Sequence, residues 1–128
     1  MNDLIIEGKQ LGKTPTIEFK VNGELKISGR SIPEDSRTFY QPVFTWLDSL
    51  KANLPSKIEM KVALEYFNTS SSILLLNMFN SLVQLHQDKQ TNVSIIWYYH
   101  EDDDEMQEAG RDYKSIVRVP FEVLPMTV

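Results

Sequence analysis

Lys57-Ile58-Glu59-Met60-Lys61-Val62-Ala63-Leu64-Glu65-Tyr66 runs into Phe67-Asn68-Thr69-Ser70-Ser71-Ser72, and the join between these two pieces decides the fold. Ile58, Met60, Val62, Leu64 and Tyr66 alternate with Lys57, Glu59, Lys61, Ala63 and Glu65, the period of a strand with one buried and one wet face. A strand sandwiched between two helical layers reads as apolar on both faces. This one therefore predicts helices packed mainly on one side of the sheet, and not a doubly wound nucleotide-binding fold. After it come one amide and four hydroxyls in a row. Ile73, Leu74, Leu76, Met78, Phe79, Leu82, Val83 and Leu85 then predict a broadly buried helix over about 70–86.

Upstream, residues 1–15 carry Gly8, Gly12 and Pro15 without a sustained period, an arm or an irregular first strand. Ile17, Phe19 and Val21 alternate with polar neighbours, Asn22-Gly23 is a strong hairpin signal, and Leu25 and Ile27 resume the alternation. Gly29 to Asp35 reads as a loop. Phe39, Tyr40, Val43, Phe44, Leu47 and Leu50 share a helical face, with Asp35 or Ser36 as its cap. Pro42 inside that pattern predicts either a helix start near Gln41 or a kink. Asn53 and Pro55 end the helix.

Downstream, residues 88–92 are polar and turn the chain. Val93, Ile95, Trp97 and Tyr99 form the next strand, and the acidic run Glu101 to Glu105 opens a short helix carrying Met106, Ala109 and Tyr113. Val117, Val119, Phe121 and Val123 give a last strand, which Pro120 marks as an edge or bulged one. The expectation is one α/β domain over residues 1–128, with a mixed sheet of about five strands.

A chain of 128 residues with 41% hydrophobic and 24% charged residues has the composition of an ordinary globular domain. It has no cysteine, which excludes disulfides and thiolate chemistry. The N-terminus lacks the basic start and apolar core of a signal peptide, and Ile73 to Leu76 is the longest purely apolar run. A cytoplasmic protein without a membrane span is expected. A net charge of −5 argues against general nucleic-acid binding.

Catalytic spacings are absent: there is no nucleophile elbow, phosphate loop or glycine fingerprint. His86 and His100 have no nucleophile beside them in sequence and read as structural or surface groups. The acidic run lacks the alternating ligands and central glycine of a calcium loop. No metal and no cofactor is expected. The Asn-x-Ser patterns at Asn68 and Asn92 are read as accidental without a secretory signal.

The hydroxyl cluster remains. One helix cap requires one residue, and here Asn68, Thr69, Ser70, Ser71 and Ser72 are all of capping or hydroxyl type. A helix N-terminus tolerates negative charge, so a phosphate placed there would leave the helix intact while changing what docks on it. A module holding a nucleotide or other anion on the same N-terminus, and a small hydrolase using Ser70 or Ser71 with a histidine, are the competing readings.

Tyr66-Phe67-Asn68-Thr69-Ser70-Ser71 resembles the Tyr-x-Asn-Thr-Ser-Ser motif of the SiaC-type bacterial regulatory phosphoproteins, which are similar to the STAS-domain anti-sigma-factor antagonists. Ile32-Pro33-Glu34-Asp35-Ser36, Trp97-Tyr98-Tyr99, Glu108-Ala109-Gly110-Arg111-Asp112-Tyr113 and Val119-Pro120-Phe121 extend the likeness over nearly the whole chain. The resemblance implies a STAS-like fold and a non-enzymatic switch. A cognate protein kinase would phosphorylate Thr69 and a PP2C-type phosphatase would reverse it. The unphosphorylated form would bind an effector, in the best-known branch a diguanylate cyclase, coupling the switch to cyclic-di-GMP signalling and biofilm formation. Tyr66, Asn68, Ser70, Ser71, Pro33 and Glu34 would bind the partner or the phosphate.

Overall fold

The computed structural model describes residues 1–8, 12–88 and 91–126. Residues 9–11 of the expected arm and 89–90 of the expected polar turn lie outside that range. The elements in order are β1 (Leu4–Ile6), β2 (Thr16–Phe19), β3 (Glu24–Ser31), α1 (Ser36–Leu50), β4 (Lys57–Phe67), α2 (Thr69–Gln87), β5 (Asn92–His100), α3 (Asp104–Ile116) and β6 (Phe121–Met126), with a 3-10 turn at Lys51–Asn53. The six strands lie in one sheet in sequence order. Pairing is antiparallel from β1 to β3 and parallel from β3 to β6.

That order explains the one-sided packing. Strand-helix-strand crossovers are right-handed, so three successive steps in one direction place α1, α2 and α3 on the same face. Burial agrees. Ile58, Met60, Val62 and Leu64 of β4 are fully enclosed together with Ile17, Phe19, Leu25 and Ile27. On the other face Glu18 stands beside Lys26 and Lys26 beside Lys61, charges left to water. The expected mixed sheet with helices on one face is present. It has six strands rather than about five, because three residues of the arm pair with β2.

Asn22-Gly23 makes the predicted hairpin turn. Gly23 has φ +104°, and a Cβ there would overlap the carbonyl oxygen of Lys57, so the turn packs where no side chain fits. The helix α1 starts at Ser36, capped by Asp35, whose carboxylate accepts from Thr38 N at 3.1 Å and Thr38 Oγ1 at 2.8 Å. These bonds hold the Asp35 carboxyl below its ordinary pKa. The helix runs through Pro42 rather than starting near Gln41. Its buried face also includes Trp46, which was not among the expected core residues, and the Trp46 indole donates to the Asn2 carbonyl at 2.8 Å.

Three further features differ from expectation. The strand β3 continues to Ser31 instead of ending before Gly29. The last strand begins at Phe121, since Val117 closes α3 as its C-cap. The register between β3 and β4 also shifts: Gly29 pairs with Leu64 but Arg30 pairs with Tyr66, leaving Glu65 as an extra residue. Such a bulge reverses the facing of every later residue in the strand. Phe67 therefore turns into the core, edge-on to Trp97 at 5.8 Å between ring centroids, and Tyr66 turns outward, 51% exposed. The expected place of Tyr66 on the apolar face is thus corrected.

Candidate functional site

The site is the N-terminus of α2, where the long strand β4 meets its helix. Asn68 is the cap, with extended backbone (φ −88°, ψ 174°). Its side-chain oxygen accepts from Ser71 N at 2.9 Å and from the Ser70 hydroxyl at 3.2 Å. Asn68 N in turn donates to the Ser31 carbonyl at 3.0 Å, tying the cap to the end of β3.

Each of the three serines after Thr69 has a partner. Ser70 Oγ lies 2.7 Å from Ser36 Oγ, joining the first turns of α2 and α1. Ser71 is fully buried. Its hydroxyl donates to the Ser31 carbonyl at 3.0 Å and lies 2.8 Å from Ser31 Oγ, which lies 2.6 Å from the Tyr40 hydroxyl. One arrangement uses every proton once: Tyr40 donates to Ser31 Oγ, Ser31 to Ser71 Oγ, and Ser71 to the Ser31 carbonyl. Ser72 Oγ donates to the Thr69 carbonyl at 2.6 Å, and the Tyr113 hydroxyl of α3 donates to the Ser72 carbonyl at 2.8 Å. Burial pushes the Tyr40 and Tyr113 hydroxyls up to about 12, so both stay neutral donors at physiological pH.

Thr69 is different. It is exposed, it is the first residue of α2, and its hydroxyl alone among the four has no hydrogen-bond partner among the described residues. The Asn68 cap accepts from Ser71 N, and the start of a helix carries the positive end of its dipole, so the Thr69 hydroxyl stands at the end of α2 that favours negative charge.

The remaining expected site residues are arranged around this turn. Pro33 is buried and Glu34 exposed in a loop anchored at both ends, by Ser31 on Ser71 and by Ser36 on Ser70. Ser31, Ser36, Tyr40 and Tyr113 belong to the site without having been expected there. Ser31 carried a signal: it continues the core parity of Leu25 and Ile27, and a polar residue at such a position needs a buried partner.

His86 Nδ1 accepts from Val93 N at 3.2 Å, which fixes that imidazole to the start of β5. Among the described residues no group of three His, Cys, Asp or Glu is placed to hold a metal ion. A hollow of about 270 Å³ on the open sheet face is lined by charges of both signs, two pairs of which, Lys20–Glu24 and Lys61–Glu59, already neutralise each other at 3.7 Å. Among the described residues no helix is long and apolar enough to cross a membrane.

Residues 6–126 match the SiaC family regulatory phosphoprotein family. The chain belongs to the SiaC family. An uncharacterised protein of Pseudomonas aeruginosa strain UCBPP-PA14 is 29% identical over 124 residues, covering 96% of each chain. A crystal structure of apo-SiaC from Pseudomonas aeruginosa superposes with a TM-score of 0.85 at 28% identity, covering 97% of this chain and 99% of the other. A second structure, of the diguanylate cyclase SiaD in complex with its activator SiaC from the same organism, matches with a TM-score of 0.89 at 27% identity. It covers 97% of this chain and all of the matched one. Family membership makes the chain a regulatory phosphoprotein by kind, consistent with a domain whose hydroxyls cluster at one helix start.

Proposed function

We propose that this SiaC-family chain is a protein-binding switch whose phosphorylated residue is Thr69. The observation that carries the reading is the free Thr69 hydroxyl beside three serines held in place by hydrogen bonds. A cognate protein kinase would supply ATP, magnesium and a base. Thr69 Oγ1 attacks the γ-phosphorus, ADP leaves, and the hydroxyl proton passes to the kinase base. A PP2C-type phosphatase directs water onto the same phosphorus and returns the free hydroxyl with inorganic phosphate. This chain contributes a nucleophile and a shape, not catalysis.

The unphosphorylated form binds an effector. In Pseudomonas aeruginosa SiaC is the activator of the diguanylate cyclase SiaD, and a cyclase of that class is the partner proposed here. A phosphate adds roughly −1.5 to −2 charges and three acceptor oxygens at a point where the helix itself is at ease with them. Its effect falls on the docked surface. Asn68 directly precedes the acceptor and Tyr66 stands three residues before it, and the Pro33–Glu34 loop is tied to the same helix turn through Ser31 on Ser71 and Ser36 on Ser70. The chain acts in the cytoplasm.

The competing readings have less support. A STAS-type module holding a nucleotide or other anion would use the same α2 N-terminus, where the Asn68 side chain already takes Ser71 N and Ser36 Oγ already pairs with Ser70 Oγ. A serine hydrolase needs a hydroxyl hydrogen-bonded to a general base, whereas the Ser70 and Ser71 hydroxyls pair with Ser36, Asn68 and Ser31 and with no histidine. The test is to incubate the protein with its cognate kinase and ATP and map the phosphate by mass spectrometry. A single phosphate on Thr69, lost in Thr69→Ala, is expected. Phosphate on Ser70 or Ser71 instead, or none with an active kinase, refutes the assignment.

A further inference from the structure

Between the end of β4 and the first turns of α3 lies a groove of about 140 Å³. Its floor is apolar, made by Phe67, Met106 and Ala109. Its carboxylate lining is Glu65, Asp103 and Glu105, with no basic residue among them. The exposed ring of Tyr66 completes the wall. Its lining residue Phe67 directly precedes the Asn68 cap of α2 in the chain.

We propose that this groove receives an arginine side chain of a protein partner. The occupant is set by size, charge and shape together. The volume is below the roughly 300 Å³ at which small-molecule pockets begin, yet it suits the head of one side chain. Three carboxylates without a base ask for a cation. A metal ion fits poorly, because among the described residues no three acidic groups stand close enough to hold one. A guanidinium is broad and planar, bonds two carboxylates at once and stacks on an aromatic face, while its stem packs on apolar atoms.

The local backbone is built to present this wall. Without the bulge at Glu65, Tyr66 would lie in the core. The bulge turns the ring out beside Glu65, and bulges are enriched where a strand re-aims a side chain next to a functional site. Asp103 Oδ1 caps α3 by accepting from Met106 N at 3.0 Å, so only one of its two carboxylate oxygens is taken. The positive end of the α3 dipole, about half a charge, offsets part of the acidic field but not three carboxylates.

This inference deepens the proposed switch function and rests on the chain having a protein partner. The probe is the peptide acetyl-Leu-Arg-Leu-amide, titrated into ¹⁵N-labelled full-length protein and followed by amide chemical shifts. Saturable shifts at Glu65, Tyr66, Phe67, Met106 and Ala109 are expected. The same peptide with citrulline for arginine, which keeps shape and loses charge, should bind at least about tenfold more weakly, as should the wild-type peptide to Glu65→Gln/Glu105→Gln. Equal binding of the citrulline peptide, no saturable shift, or shifts on the open sheet face would overturn the proposal. So would the same saturable shifts with magnesium or calcium chloride in place of peptide. Thr69→Ala should leave the groove response unchanged, so loss of phosphorylation and loss of groove binding are read separately.

Discussion

Replacing Ser31 by alanine should destabilise the domain far more than the loss of one small surface hydroxyl would. Ser31 Oγ sits between Tyr40 OH at 2.6 Å and Ser71 Oγ at 2.8 Å, in a region closed to solvent. In Ser31→Ala, Ser71 keeps the Ser31 carbonyl as acceptor, but the buried Tyr40 hydroxyl is left without a partner. A lost hydrogen bond costs about 1 kcal/mol and an unsatisfied buried hydroxyl about 1–3 kcal/mol more, so the total is about 2–4 kcal/mol. Tyr40→Phe removes only its own bond and leaves Ser31 paired with Ser71, which costs about 1 kcal/mol. In the double variant no hydroxyl is orphaned, and the loss should not exceed that of Ser31→Ala alone. The coupling between the two positions is then about 1–2 kcal/mol, well outside the roughly 0.3–0.5 kcal/mol within which independent sites add. Urea unfolding followed by circular dichroism measures each corner of the cycle as a shift in midpoint at constant slope. Ser31→Ala within about 0.5 kcal/mol of wild type, or simple additivity in the double variant, would refute the buried hydroxyl chain.

Other outcomes rest on particular contacts. Thr69→Glu should melt close to wild type, since a charge at the first turn of a helix is worth about 0.3–1 kcal/mol in the stabilising direction; a large drop in Tm would contradict the placement of Thr69. Asn68→Ala removes the cap of α2 and its bond to Ser70, and should lower stability by about 1 kcal/mol in urea titration. Gly110→Ala places a Cβ against the Trp97 indole and should lose about 1–3 kcal/mol, with a changed near-ultraviolet dichroism signal from that indole. Tyr40 and Tyr113 hold their protons to about 12 in the folded state against an ordinary 10.0, so the folded form binds protons that the unfolded form releases. Their contribution is complete below pH 10 and is lost as pH rises toward about 12; urea midpoints should fall across that window while tyrosinate absorbance lags until unfolding.

Much of this fold could be read from periodicity, and the reasons for the failures are specific. The β4 alternation was enough to place the helices on one face, because charges at every second residue cannot lie under a helical layer. The same alternation concealed the bulge: Tyr66 and Phe67 are both aromatic, so either parity reads as a plausible end to the strand. The strand β1 was legible only as one of two alternatives, an arm or an irregular first strand, because three residues cannot show a period; its pairing with β2 decides for the strand. Pro42 overrode the local signal for α1 only in expectation. The cap at Asp35 and the buried stripe from Tyr40 to Leu50 outweigh one missing backbone bond. At the site, Asn68 was legible as a cap because capping is local. Ser31 showed only its core parity, since its partner Ser71 lies 40 residues away, and Ser36 showed nothing, since its partner Ser70 lies 34 residues away.

The arrangement of hydroxyls bears on how a phosphate could act without refolding the domain. If the first turn of α2 were held only by its own cap, worth about 1 kcal/mol, a new dianion could fray it as readily as decorate it. Instead the turn is tied to β3 through Ser71, to α1 through Ser70 and to α3 through the Ser72 carbonyl. Only the first of these ties is fully buried, and together they fix the backbone on which Thr69 rides. A modification at a fixed point changes charge and shape but not position. That suits a partner able to recognise one rigid surface in one state and reject it in the other, and it places the energetic consequence on the docked complex. The stability of the isolated domain should therefore hardly register phosphorylation, whereas affinity for the effector should fall with it. A phosphorylated protein that melts several degrees lower while binding its effector unchanged would show that the ties do not hold and that the phosphate acts by unfolding the turn.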